Sequence, residues 1–265
     1  MPFIKELLTG LRIFLTGDES HCGGYNLAFF LLRGYTSYYR WQFMRTSSFE
    51  SLSVEAQKFL QNESSGHDFY HLERVFNNAM YIQKIEGGDF DIIGGAAMVH
   101  DICRPWEKKT GNLHFGDEAL EIIKGMLEKS NFSPSKISSV LEVVRLHDIY
   151  DWTNKALHKS TELQVVQDAD NLDAIGAIGI ARTFAFGGAN SLPMYVPGEK
   201  LSFTNDFVED PKKRTSTIAH FYEKLLKLKD NMNTRTGKRI AEQRHKTMND
   251  FLKRFFDEWE GRFEA

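Results

Sequence analysis

Asp89-Phe90-Asp91-Ile92-Ile93-Gly94-Gly95-Ala96-Ala97-Met98-Val99-His100-Asp101 is an apolar helical run that ends on two ionisable side chains. Asp89 is placed to cap its first turn, and Ile92, Ile93, Ala96, Ala97 and Val99 recur at the spacing of a buried helical face. His100 follows Ala96 by four residues and Ala97 by three, so its ring points where the core face points. Asp101 is rotated by about 100° about the same axis. An unpaired charge at a core position is costly, and coordination of a cation removes that cost. Neighbours so placed bracket a cation lodged beside the helix.

Outward from this run, the chain continues in helices. Upstream, Asp68 is a plausible N-cap for a helix with Leu72, Val75, Phe76, Ala79 and Met80 on one face, and His71 begins a second stripe with Val75 four residues on. Gly87-Gly88 ends that helix. The tetrapeptide Gly87-Gly88-Asp89-Phe90 matches a signature of cyclic-dinucleotide synthases, but here it falls between two helices and reads as a stop followed by a cap. Downstream, Pro105 stops the His100 helix, and Arg104 to Gly116 reads as a loop. A helix with Ala119, Ile122, Ile123 and Met126 follows. Ser133-Pro134 starts another, with Ile137, Val140, Leu141 and Val144 inward and His147 near its end. Leu163 to Phe186 reads as one long helix that carries Asp168 and Asp170, with Gly176 and Gly179 permitting close packing. Gly187-Gly188 opens an irregular stretch to about residue 211, read as a mobile loop. Two closing helices follow, the second with Met248, Phe251, Leu252, Phe255, Phe256 and Trp259 on one stripe.

The expected architecture is therefore all-α: one helical domain over 51–265 behind an N-terminal extension over 1–50. The extension is rich in aromatics (Tyr25, Phe29, Phe30, Tyr35, Tyr38, Tyr39, Trp41, Phe43), unlike a disordered tail, and is expected to pack on the main domain or at the subunit interface of a homo-oligomer. A net charge of -3 gives no general attraction to nucleic acid polymers or anionic membranes, so phosphate binding must come from a local basic cluster. No apolar run approaches the roughly 18 residues of a membrane span. Cys22 and Cys103 lack any disulfide-framework spacing, and no signal-peptide pattern opens the chain, so the expected location is the cytoplasm.

The order His71, His100-Asp101 and then Asp170 in Ala169-Asp170-Asn171-Leu172 resembles the HD superfamily of metal-dependent phosphohydrolases. The chain further resembles the bacterial HD-domain nucleotide pyrophosphohydrolases. Two stretches carry that likeness: His67-Asp68-Phe69-Tyr70-His71-Leu72-Glu73-Arg74-Val75, and Gln167-Asp168-Ala169-Asp170-Asn171-Leu172-Asp173-Ala174-Ile175-Gly176-Ala177-Ile178-Gly179-Ile180-Ala181-Arg182. The resemblance implies an HD-type helical bundle with His71, His100, Asp101 and Asp170 as metal ligands. Asp168, about 200° away on the same helix, is the rival of Asp170. His114 and His147 extend the order to His, His-Asp, His, His, Asp, which resembles two-metal HD proteins and leaves one metal or two open. His114 departs from the pyrophosphohydrolase-like pattern, where a small or basic residue is expected.

The implied cofactor is a divalent metal, Mn first, with Mg, Fe, Co or Ni as alternatives for mixed His and carboxylate ligation. The cation would polarise a phosphoryl oxygen and make hydroxide available from water near neutral pH. His147, His114 and the ligand Asp101 are the expected catalytic residues, the histidines as proton relays. Lys108, Lys109, Arg74 and Arg182 are the candidate phosphate-binding cations, since developing phosphate charge needs fixed donors. The implied substrate is a small phosphorylated molecule, a nucleoside triphosphate cleaved to monophosphate and pyrophosphate. A phosphodiesterase or nucleotidase on the same ligands, a di-iron HD-type oxygenase, and a non-catalytic metal-stabilised binding module are the alternatives.

Overall fold

A computed structural model describes residues 47–61, 68–149, 159–201 and 215–263 of the chain. His67, Cys22 and the aromatic extension up to Thr46 lie outside the described residues. The chain divides into two units, Met1–Thr46 and Ser47–Ala265. The second consists of α1 (Ser47–Phe59), α2 (Phe69–Glu86), α3 (Phe90–Val99), α4 (Arg104–Thr110), α5 (Asp117–Lys129), α6 (Pro134–Leu146), α7 (Thr161–Asp173), α8 (Gly176–Ala189), α9 (Thr217–Glu223), a 3-10 segment (Leu225–Asn231) and α10 (Arg235–Trp259). No strand occurs among the described residues, so the fold is all-α as expected. No single described helix is long and apolar enough to cross a membrane.

Local chemistry sets the boundaries. The Asp68 carboxylate accepts from the His71 backbone N–H at 2.9 Å, satisfying a first-turn donor of α2. The N–H of Gly87 closes that helix on Gln83 O. One carboxylate oxygen of Asp89 then accepts from the N–H groups of Asp91 and Ile92, each at 3.1 Å, and opens α3. The Gly-Gly-Asp-Phe segment is thus a helix stop and a cap.

α3 sits at the centre, packed on α1, α2, α6 and α7. Ile93, Ala96, Ala97 and Val99 are fully buried, as are Leu72, Val75, Val140, Val144, Val165, Val166 and Leu172 around them. Each of the larger aliphatic side chains in this set stabilises the fold by roughly 1.5–3 kcal/mol relative to exposure. Within α3, Gly94 allows a close approach: a Cβ there would stand 2.7 Å from the Phe49 ring. Phe49 in turn lies edge-on to Phe76, Phe90 and Phe132.

Three expectations about the chain's path are corrected. Pro105 does not end a helix but begins one, because a proline in the first turn has no N–H to leave unsatisfied. The presumed loop from Arg104 therefore starts as α4. The long helix expected over Leu163–Phe186 is two helices, α7 and α8, meeting at 66°. The bend falls at Gly176, whose φ of +78° is the left-handed region that favours glycine. A Cβ there would also stand 2.9 Å from Arg244 Cβ and Cγ. Finally, α8 runs through Gly187-Gly188 to Ala189. The Asn190 side chain donates to Phe186 O at 2.8 Å and closes the last turn. The expected mobile loop lies partly outside the described residues.

Asp168 joins α7 to the start of α10. Its buried carboxylate accepts from Asn233 N (2.7 Å), Asn233 Nδ2 (2.9 Å), Thr234 N (2.7 Å) and Thr234 Oγ1 (2.7 Å). Thr234 Oγ1 in turn accepts from Gly237 N and caps α10. Replacing Asp168 with Ala should cost about 3 kcal/mol or more, because four donors lose their buried acceptor. Urea unfolding of both chains would show it, and an unchanged midpoint would contradict this anchoring role.

Candidate metal centre

Four imidazoles meet near the ends of α2, α3 and α6 and in the turn before α5, and each is oriented by its Nδ1. His71 Nδ1 lies 2.8 Å from Asp173 Oδ2 and His100 Nδ1 lies 3.0 Å from Ala97 O. His147 Nδ1 lies 2.6 Å from Val144 O, and His114 Nδ1 lies 3.0 Å from Glu107 Oε2. Carbonyl and carboxylate oxygens only accept, so Nδ1 carries the proton in every ring. A neutral ring then presents a lone pair on Nε2. The Nε2 atoms of His100, His114 and His147 are buried and lack a hydrogen-bond partner.

These atoms surround one carboxylate. Asp101 Oδ2 stands 3.6 Å from His71 Nε2 and 3.8 Å from His100 Nε2. Asp101 Oδ1 stands 3.3 Å from His114 Nε2 and 3.5 Å from His147 Nε2. Asp170 Oδ1 lies 3.6 Å from both His71 Nε2 and His100 Nε2. Donors held about 2.1 Å from a cation in a tetrahedron stand roughly 3.4 Å apart. The His71, His100 and Asp101 donors approach that spacing, and Asp170 Oδ1 faces both imidazoles from a further side. In a neutral ring the Nε2 lone pair repels a facing carboxylate oxygen, and a cation between them, a proton or a metal ion, turns that repulsion into attraction. His71, His100 and Asp101 form one group of metal-ligating character, and Asp101, His114 and His147 form another.

Proton affinities follow the same crowding. Burial works against a charged His100, yet Asp101 and Asp170 outweigh it and lift the ring to about 9. Burial pushes His114 down to about 3, with Arg104, His147 and His100 adding to the shift against Asp101. Burial opposes ionisation of Asp170, but His100 prevails and holds it well below the usual carboxylate range. Of the two carboxylates, Asp170 is the one with a side chain open to solvent, at 20% exposure against 3% for Asp101.

The structure brings His71, His100, Asp101, His114, His147 and Asp170 together. Asp168 instead anchors α10 as described above. Arg74 and Arg182 meet at Asp173 behind His71: Arg74 Nε lies 2.7 Å from Asp173 Oδ1 and Arg182 Nη1 lies 3.0 Å from Oδ2. Lys108 and Lys109 are exposed on α4.

Four participants escaped the sequence reading. Asp173 orients His71, as carboxylates commonly do for metal-binding histidines. Arg104 donates to Asp101 Oδ1 at 2.9 Å and to Asp148 Oδ2 at 2.8 Å. Glu107 receives His114. Gln167 Nε2 donates to His147 O at 3.0 Å and ties the end of α6 to α7. Signals existed for some of them: His147-Asp148 repeats the His-Asp pair, and Arg104 follows Asp101 by three residues on the same turn.

Comparison with known proteins agrees with this geometry. The model of the HD domain matches residues 68–175. The Bacillus subtilis protein YpgQ is 35% identical over 204 residues, spanning 77% of this chain and 90% of that protein. The crystal structure of an HD-superfamily hydrolase from Bacillus thuringiensis superposes with a TM-score of 0.61 at 36% identity, covering 80% of this chain and 96% of that one. The crystal structure of Bacillus subtilis YpgQ in complex with ADP gives a TM-score of 0.56 at 31% identity, covering 80% and 100%. The chain belongs to the HD-domain family and is an HD-superfamily hydrolase.

Asp173 yields a pH signature. Burial pushes its carboxyl up, but hydrogen bonds from His71 and Arg74 and the charge of Arg182 hold it at about 2. A folded-state value below the unfolded one stabilises the protein above about pH 4, here by about 2 kcal/mol. The contribution is lost as pH falls toward 2. The stability gap between the wild type and Asp173→Asn, read by urea unfolding, should therefore shrink from pH 6 to pH 3. A gap independent of pH would contradict the ionised assignment.

Proposed function

We propose that the chain is a divalent-metal-dependent phosphohydrolase that cleaves nucleoside triphosphates to monophosphate and pyrophosphate. The observation that carries this reading is the convergence of Nδ1-tethered imidazoles, each presenting Nε2, on the buried carboxylate of Asp101. The ADP held by the YpgQ relative supports a nucleotide as the substrate class.

His71, His100, Asp101 and Asp170 would hold the cation, and their mixed nitrogen and oxygen donors suit Mn, Fe, Co or Ni, of which we favour Mn. The cation supplies Lewis acidity toward a phosphoryl oxygen and makes hydroxide available from water near neutral pH. The chain's own residues do the rest. His147 keeps its Nδ1 proton on Val144 O, so its Nε2 can take a proton from the attacking water and return it to the leaving oxygen. Asp170 borders the open side, where substrate reaches the centre. Lys108 follows Arg104 by four residues on α4 and so shares its face, and on that ground we assign it to the phosphate chain. Arg74 and Arg182, bound to Asp173, serve the His71 side of the shell in this scheme.

One observation favours a second metal ion, as the two-metal reading requires: His114 and His147 both face the second oxygen of Asp101. Arg104 on that same oxygen speaks against it.

Elemental analysis and a nucleotide panel with added Mn and pyrophosphate detection test the proposal. About one metal per chain and pyrophosphate release are expected, both lost in Asp101→Ala. Inorganic phosphate as the sole product would point to a nucleotidase instead. Lys108→Ala should raise KM about tenfold with little change in kcat, because it removes binding shared by substrate and transition state. An unchanged KM would remove Lys108 from the phosphate site.

A further inference from the structure

The two sides of Asp101 are not equivalent. On the Oδ2 side, His71 and His100 are joined by a second carboxylate, Asp170, 3.6 Å from each Nε2. On the Oδ1 side, among the described residues, the carboxylates beside His114 and His147 are all engaged by Arg104. Asp148 Oδ2 lies 3.9 Å from His114 Nε2. That oxygen is taken by Arg104 Nη2 at 2.8 Å, while Arg104 Nε takes Asp101 Oδ1 at 2.9 Å. Arg104 Nη1 lies 3.4 Å from Glu107 Oε2, the same oxygen that receives His114 Nδ1. Three carboxylates thus fix the guanidinium, and it engages both oxygens that a second cation would need.

We propose that Arg104 is a built-in cation that keeps the His114–His147 position closed, so that the centre binds one divalent ion tightly and a second only weakly. The inference rests on the metal-centre reading above. A guanidinium stays protonated at any physiological pH and is fixed in a planar fork, so it matches two carboxylates without titrating away. Like charge beside an ion a few ångströms away raises the free energy of binding it, and more so in a buried site.

The test is Mn binding to the full chain, followed by the electron paramagnetic resonance signal of free Mn and by total metal after dialysis. The wild type should hold one tight ion, with any second bound at least tenfold more weakly. Arg104→Met should approach two ions, with the spin-coupled signal of an adjacent pair. Arg104→Met with His114→Ala should return to one. In the wild-type background, His114→Ala should keep its single ion at nearly unchanged affinity, a comparison that does not depend on the Arg104→Met chain folding. Two ions of equal affinity in the wild type, or loss of an ion in His114→Ala, would overturn the role of Arg104 and leave the metal reading intact. A single ion in folded Arg104→Met would also overturn it. No bound ion in the wild type would instead bring down the metal reading itself.

Discussion

The carboxylate of Asp101 is the constraint on which the rest of this structure depends. It is buried at the end of the central helix α3, where an ionised group has no access to water, and imidazoles stand on both of its sides. Everything around it serves to make that placement tolerable. Arg104 neutralises one oxygen directly. The four imidazoles present Nε2, which becomes favourable when a cation completes the group. A core that accepted Asp101 without these partners would lose several kcal/mol to desolvation.

The orientation of the imidazoles is the second layer. None relies on its own rotamer alone: each Nδ1 is tied to an acceptor built into the fold, two of them backbone carbonyls one turn upstream. For His100 and His147 the helix itself supplies the tether, through Ala97 O and Val144 O. His71 and His114 depend on carboxylates brought by the chain, from α7 in the case of Asp173 and from α4 in the case of Glu107. The scaffold behind them is tied in turn. Gln167 and Asp168, one turn before Asp170 and Asn171, fasten α7 to the end of α6 and to the start of α10. The helix that delivers Asp170 is thus held at both flanks.

The cluster of ionisable side chains was legible because residues that break an apolar helical stripe leave a linear trace. His100 interrupts an otherwise apolar stripe, and His71, Asp170 and His147 do the same on their own helices. Helix limits were legible where side-chain caps decide them, as at Asp68 and Asp89. They were misread where backbone geometry decides them: Pro105 opens α4, and Gly176 breaks the run from Leu163. Proline and glycine have opposite meanings at the start, middle and end of a helix, and periodicity does not say which applies. The basic residues were the least legible. A lone arginine in a sequence has no address until its partner is known, and the partner of Arg74 and Arg182 is the same carboxylate, Asp173, far along the chain from Arg74.

By itself, the sequence determined the all-α class, most of the helices, and which histidines and carboxylates stand on apolar stripes. These follow from spacing along one chain, where a period of 3.6 residues maps order onto faces. Only the tertiary structure decided what each charge faces. It set Asp168 to fastening α10 and Asp170 to the centre, Arg104 to the second oxygen of Asp101, and two arginines to the back of His71. Electrostatic roles depend on distances of a few ångströms between residues remote in sequence, and those distances exist only after the helices have packed.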